Sequence, residues 1–164
     1  MPHAIRFDGA ITTRTVPHDG RVFAAEVVFE LEHPQLIKLA SQKKPPLHFH
    51  PYQQEYMEVL EGRLCVEVDG KERILTKDDG EILVKPWVHH RLFPPPPGSE
   101  ENGTRTVFIL SGDDTSEVFK LDFVFFQNWY AYQDEVVLNG KNFDIIQVMS
   151  VSCLLGCLVW YSRY

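Results

Sequence analysis

Two histidines, His48 and His50, stand one residue apart in "PPLHFHPYQQEYMEVLEG" (45–62), and Glu55 follows five residues after the second. The stretch reads as strand, in which successive side chains alternate faces, so His48 and His50 share a face and Phe49 takes the other. Between His50 and Glu55 lies "PYQQ", long enough for a turn or bulge, and from Glu55 the inward set continues through Met57 and Val59. A carboxylate therefore stands beside apolar pocket walls. Imidazole nitrogens with a carboxylate oxygen suit Fe, Mn, Ni, Cu or Zn, which take three or four such ligands while keeping positions open for a substrate or oxygen. The missing ligand must come from a distant strand. His90, in "KPWVHHRLF" (85–93), follows a turn and a strand and can cross a barrel to face His48 and His50. His89 alternates to the other face. Without an ion, the same imidazoles, which titrate near pH 6.5, would serve as general acid and base.

The elements that must position these groups are short alternating runs broken by turns, the pattern of an antiparallel β protein. "RVFAAEVVFEL" (21–31) is a strand, and "QLIKLAS" (35–41) is either a strand or a helical turn. Asp69-Gly70 sits between two strand-like runs in "RLCVEVDGKERILTK" (63–77) and predicts a type I′ hairpin. Within it Leu64, Val66 and Val68 form the packing face, which leaves Glu67 facing solvent or the barrel rim. In "DDGEILVKPWVHHRLF" (78–93) a turn at Asp79-Gly80 precedes a strand over 81–85, and Pro86 stands before a second strand, where a ladder hydrogen bond can be spared. "PPPPGSEENG" (94–103) reads as an extended surface loop, and "TRTVFILSG" (104–112) as an apolar strand.

After Asp113 the pattern turns helical. Ser116 is a candidate N-cap and Asn139-Gly140 a helix stop, and the tail is apolar from Ile145 to Tyr161. That run falls at the low edge of a bilayer span and is interrupted by polar residues and Gly156. It reads as a helix packed on the protein or at a dimer interface, with a membrane anchor as the second reading. The expected organisation is a β-barrel domain over 1–115 and a helical extension over 116–164.

The first stretch, with His48, His50, Glu55 and Gly62, resembles the first motif of the cupin family, and "DGEILVKPWVHHRLF" resembles the second, with His90 at its histidine. Trp87 stands where that motif has a glycine, which would make the pocket mouth bulkier. The resemblance implies an all-β fold, a double-stranded β-helix (jelly-roll) barrel of the RmlC-like type, with one or two C-terminal helices outside it. It extends to small single-domain cupins of filamentous fungi, often tied to secondary-metabolite pathways and often dimeric. It implies a divalent transition metal held by His48, His50, Glu55 and His90, with Fe favoured and Mn, Ni, Zn or Cu as alternatives. Glu55 and His90 would also take part in catalysis. By their position near the ligand strands, not by the resemblance, Tyr56, Met57, Trp87 and Phe93 are expected in the barrel wall, lining the substrate pocket.

Composition narrows the function classes. The 164 residues carry a net charge of −7, against the clustered Lys and Arg that phosphate backbones need, so nucleic acid is not expected as a partner. Three scattered cysteines, and an N-terminus without an export-like pattern, read as a reduced, cytoplasmic protein. No Ser-His-Asp set, phosphate loop or CxxC pair is present. The expectation is a metal-dependent enzyme on a small, largely apolar metabolite, a dioxygenase or other oxidoreductase. The alternatives are a non-oxidative isomerase, cyclase or decarboxylase, or a metal-free binding module.

Overall fold

The protein's structure, a computed structural model, describes residues 3–41, 44–117, 120–122, 128, 131–132 and 158–159. Its strands are β1 (His3–Arg6), β2 (Ile11–Thr15), β3 (Arg21–Glu30), β4 (His48–Phe49), β5 (Glu55–Glu61), β6 (Leu64–Val68), β7 (Lys71–Leu75), β8 (Glu81–Val84), β9 (His90–Phe93), β10 (Arg105–Asp113) and β11 (Leu158–Val159). They form two antiparallel sheets, ordered β1-β2-β3-β10-β5-β8 and β11-β4-β9-β6-β7. This is the antiparallel β protein that the alternating runs predict, in the jelly-roll form that the family resemblance implies.

The inward residues fill the space between the sheets. In β3 these are Phe23, Ala25, Val27 and Phe29, in β5 Met57 and Val59, and in β10 Phe108 and Leu110, all buried. Phe29 and Phe108 meet edge to face at 5.2 Å between ring centroids. Each large apolar side chain so enclosed contributes about 2 kcal/mol. The hairpin β6–β7 turns at Asp69 (φ 51°) and Gly70 (φ 72°), the two positive φ values of a type I′ turn, as expected of Asp-Gly.

Residues 35–41 belong to a helix, α1 (Pro34–Ser41), which buries Leu36 and settles the choice left open for "QLIKLAS". Beyond the end of β9, α1 and the proline-rich loop enclose a groove of about 510 Å³ lined by Leu31, Leu36, Ile37, Pro94 and Pro97. Asn102 anchors that loop from a buried position, its Nδ2 donating to the Pro96 carbonyl at 2.8 Å.

Three expectations are corrected. Glu67 is not solvent-facing: it is on the outer face of β6, but Arg91, its register partner on β9, covers it and donates from Nε to its carboxylate at 2.8 Å. Ser116 does not open a helix, because 116–117 and 120–122 are irregular; Asn128, Ala131 and Tyr132 are helical, and most of the expected helical extension lies outside the described residues. Within the apolar run 145–161, Leu158–Val159 is a strand paired to β4 rather than part of a helix. Among the described residues no helix is long and apolar enough to cross a membrane.

Candidate metal centre

The two sheets bring together the four side chains singled out by spacing. β4 supplies His48, and His50 follows it directly; β9 begins with His90, which pairs across the ladder with His48. Glu55 opens β5 in the facing sheet. One ligand atom from each of His48, His50, Glu55 and His90 lies within 4.8 Å of the others. The imidazole centroids are 4.4 Å apart for His48 and His90, 5.0 Å for His50 and His90, and 5.2 Å for His48 and His50.

Local hydrogen bonds fix two of these rings. His90 Nδ1 lies 2.9 Å from the Val88 carbonyl and His48 Nδ1 3.3 Å from the Pro46 carbonyl. A carbonyl only accepts, so each Nδ1 carries the proton and each Nε2 keeps its lone pair, the arrangement that metal-binding histidines adopt. The turn before β9 is tied to the first motif as well, since Trp87 N–H donates to the His50 carbonyl at 2.9 Å.

The cluster's interior is short of partners. His50 Nε2 is in close ionic contact with Glu55 Oε2 at 2.7 Å, and both nitrogens of His50 and Nε2 of His90 are buried with no hydrogen-bond partner among the described residues. His90 Nε2 is 3.6 Å from Glu55 Oε1. Orphaned buried nitrogens cost about 1–3 kcal/mol each. A divalent ion would satisfy one nitrogen of each imidazole and the carboxylate together, and three imidazoles with one carboxylate are a donor set that Fe, Mn, Ni, Cu and Zn accept. The residues fit the metal that the motifs imply.

Charge and burial set the protonation states. Burial, then the neighbouring imidazoles of His90 and His50, push His48 down to about 3. Burial also holds His50 below its ordinary value against the pull of the Glu55 charge. Glu55 is the converse: burial opposes its ionisation, but His90 and His50 hold the carboxyl well below the usual range. His90 is raised, the Glu55 carboxylate more than offsetting its burial. At neutral pH the set therefore offers a carboxylate and neutral His48 and His50.

The expected pocket-wall residues divide. Met57 is fully buried on the inward face of β5, two residues beyond Glu55. Tyr56 alternates outward, where the Arg21 guanidinium stacks on its ring at 3.4 Å from the centroid. Phe93 also faces out, paired across the ladder with Cys65, with Lys44 above its ring at 5.1 Å. Both are corrections with one cause: each is an odd number of residues from an inward ligand on its strand, Glu55 or His90, so the pleat turns it away. Trp87 is 59% exposed and stacks on Phe49 at 5.3 Å, outside the wall that carries His48 and His50. Its φ of 66° is a value glycine adopts freely, which matches the glycine expected there. His89 packs against Phe49 rather than joining the cluster.

Sequence reasoning passed over Gln53 and the carbonyls of Pro46 and Val88. Gln53 had a signal, a polar residue on the inward alternation two positions before Glu55. The carbonyls had none, because any residue supplies one.

Residues 35–95 match the family model described as the Cupin domain. The chain is 40% identical over 145 residues to an oxidoreductase of Arthrobotrys oligospora, covering 87% of this chain and 56% of that protein. It is 43% identical over 107 residues to an epoxidase of Aspergillus terreus, covering 65% of this chain and 32% of that one. An RmlC-like cupin from Shewanella frigidimarina superposes with a TM-score of 0.43 at 19% identity, over 69% of this chain and 84% of its own. The chain thus spans little more than half the length of the Arthrobotrys protein.

Proposed function

Because the chain belongs to the cupin superfamily and folds three histidines and a glutamate into one buried cluster, we propose that it is a metal-dependent oxidoreductase acting on a small, largely apolar metabolite. The observation that carries this reading is the set of buried nitrogens of His50 and His90 that have no hydrogen-bond partner among the described residues. Relatives named oxidoreductase and epoxidase support the oxidative class over isomerisation or decarboxylation.

His48, His50, Glu55 and His90 would hold the ion, for which Fe is the favoured identity. A redox-active ion there would supply oxygen activation and polarisation of a substrate oxygen. The chain's own residues do the rest. Glu55 stays ionised and so can accept a proton from a substrate hydroxyl or acidic carbon, with His90 beside it to share the charge. Met57 and Val59 give the interior an apolar wall, and the burial of His50, Glu55 and His90 keeps bulk water from the reacting groups.

The test is elemental analysis of the purified wild type beside His48→Ala. About one equivalent of a transition metal in the first and little in the second is the expected result. No metal in either after reconstitution with Fe(II), Mn(II), Ni(II), Cu(II) and Zn(II) would replace this reading with a metal-free acid–base enzyme or a binding module.

A further inference from the structure

Arg21 opens β3, and a bulge decides which way it points. Gly112 of β10 pairs with Phe23, but Asp113 pairs with Arg21, so Val22 is an extra residue on β3. Strict alternation from the inward Phe23 would send Arg21 inward too; the extra residue breaks it and turns Arg21 to the outer face, the re-aiming that bulges provide. There its side chain, 15% exposed, reaches across three further strands. Nε donates to Ser111 Oγ on β10 at 3.3 Å, the guanidinium lies over the Tyr56 ring of β5, and Nη2 donates to Glu81 Oε1 on β8 at 2.8 Å.

Glu55 lies behind this guanidinium. The ladders set Gly112, Glu55 and Val84 side by side with inner-face positions, and Ser111, Tyr56 and Leu83 side by side in the next, outer-face row. Of the four clustered ligands Glu55 alone comes from this sheet, and it is the first residue of β5, where both of its ladders end. Its neighbours on either side are held from outside. Tyr56 lies under Arg21 and donates from its hydroxyl to Gln54 Oε1 at 2.8 Å, and the Gln54 N–H donates to Asp113 Oδ1 at 2.8 Å.

We propose that Arg21 is a positioning residue for Glu55: its clamp across β3, β10, β5 and β8 on the outer face fixes the start of β5, so that the Glu55 carboxylate stands against His50 and His90 on the inner face. The inference deepens the proposed function and rests on it only for the ion that Glu55 would help to hold. Arg21 acts through Tyr56, the residue next to the ligand, and not on the reacting groups.

The experiment amidates the carboxylates of metal-free protein with a water-soluble carbodiimide and glycine ethyl ester at one pH, and follows Glu55 and Glu67 by peptide mass spectrometry. Glu67, also a buried carboxylate but carried by the other sheet, is the internal control for general loosening. Arg21→Met should raise the rate at Glu55 by roughly tenfold, a change in opening worth about 1.4 kcal/mol, with the rate at Glu67 unchanged. Arg21→Lys, which keeps a cation beside Tyr56 and Glu81, should restore part of the protection. Should Arg21→Met fail to fold, Tyr56→Leu, which removes the ring under the guanidinium and leaves the Glu81 pair, carries the same test with the same expected direction. A wild-type rate at Glu55 overturns the proposal, and so does a parallel rise at Glu67, which a merely structural role would give. Metal content is measured separately on the wild type. A protein that never binds metal would sink the proposed function and leave the amidation result to decide the clamp.

Discussion

Gly62 and Gly70 occupy almost the same backbone conformation, φ +76° and +72°, in very different surroundings. A Cβ on Gly70 would meet no heavy atom within 4 Å, while one on Gly62 would fall on the Arg105 carbonyl oxygen and stand 3.2 Å from Thr106 Cα. Gly70→Ala should therefore cost only the left-handed strain, roughly 1–2 kcal/mol. Gly62→Ala carries the same strain and also forces two backbones apart, since the atom it strikes cannot rotate away. Overpacking of that kind adds about 1–3 kcal/mol, giving roughly 2–5 kcal/mol in all. The displaced contact is where the chain leaves β5 for β6, passing from the sheet that supplies Glu55 to the one that supplies His48 and His90. Urea unfolding of both variants and the wild type, read as midpoint times slope, measures the difference. Equal losses, within about 0.5 kcal/mol, would refute the close approach of Gly62 to β10.

Four further outcomes follow from the same geometry. In metal-free protein the depressed His48 stays neutral in the fold while its unfolded counterpart, near 6.5, takes up a proton, so its contribution to stability is present above about 6.5 and lost as pH falls towards 3. Between pH 6.5 and 4 that loss is about 3 kcal/mol at most, and the stability of His48→Gln should fall less steeply over this window in urea titrations; parallel curves would sink the assignment. His50→Ala should empty the site more completely than Glu55→Gln, whose amide oxygen still coordinates weakly, and full metal content in both by elemental analysis would dismiss this ligand set. Arg91→Met should lose about 2–4 kcal/mol in chemical denaturation, because it removes the guanidinium that pairs with the buried Glu67 side chain. Trp87→Gly should be more stable than Trp87→Ala by about 1 kcal/mol in melting experiments, since both lose the stack on Phe49 but glycine alone relieves the positive φ.

How legible the site was from sequence depends on the kind of geometry that made each part. Alternation along a strand is local, so it assigned His48 and His50 to one side, Glu55 and Met57 to another strand's inward face, and only one of His89 and His90 to the ligand side; the motif's histidine pointed to His90, and the structure groups it with the other three. The same rule, applied consistently, excludes Tyr56 and Phe93 from the interior; they entered the expected pocket by proximity in sequence, which in a pleated strand favours the wrong face for every second neighbour. Glu67 failed for a different reason. Its side was right, but whether an outward face is wet depends on which residue lies across the ladder, and a register that pairs Glu67 with Arg91 is a long-range fact.

Gln53 and Trp87 mark the boundary most clearly. A Trp in the left-handed region breaks a local rule, and only the hydrogen bond from its N–H to the His50 carbonyl and its stack on Phe49 show what holds it there. Gln53 breaks none: an inward polar residue can be satisfied by any partner, and its partners here, Asp113 and Leu121, are 60 and 68 residues away. A motif search stops at the four ligands, yet Gln53 bridges the first motif to a part of the chain outside it. Two residues before a ligand, an amide that bonds the backbone of both Asp113 and Leu121 ties these distant residues to the start of the strand that carries Glu55. Gln53→Ala should therefore strand the backbone groups of Asp113 and Leu121 and cost stability while leaving the four ligands in place, which no reading of the motifs alone would foresee.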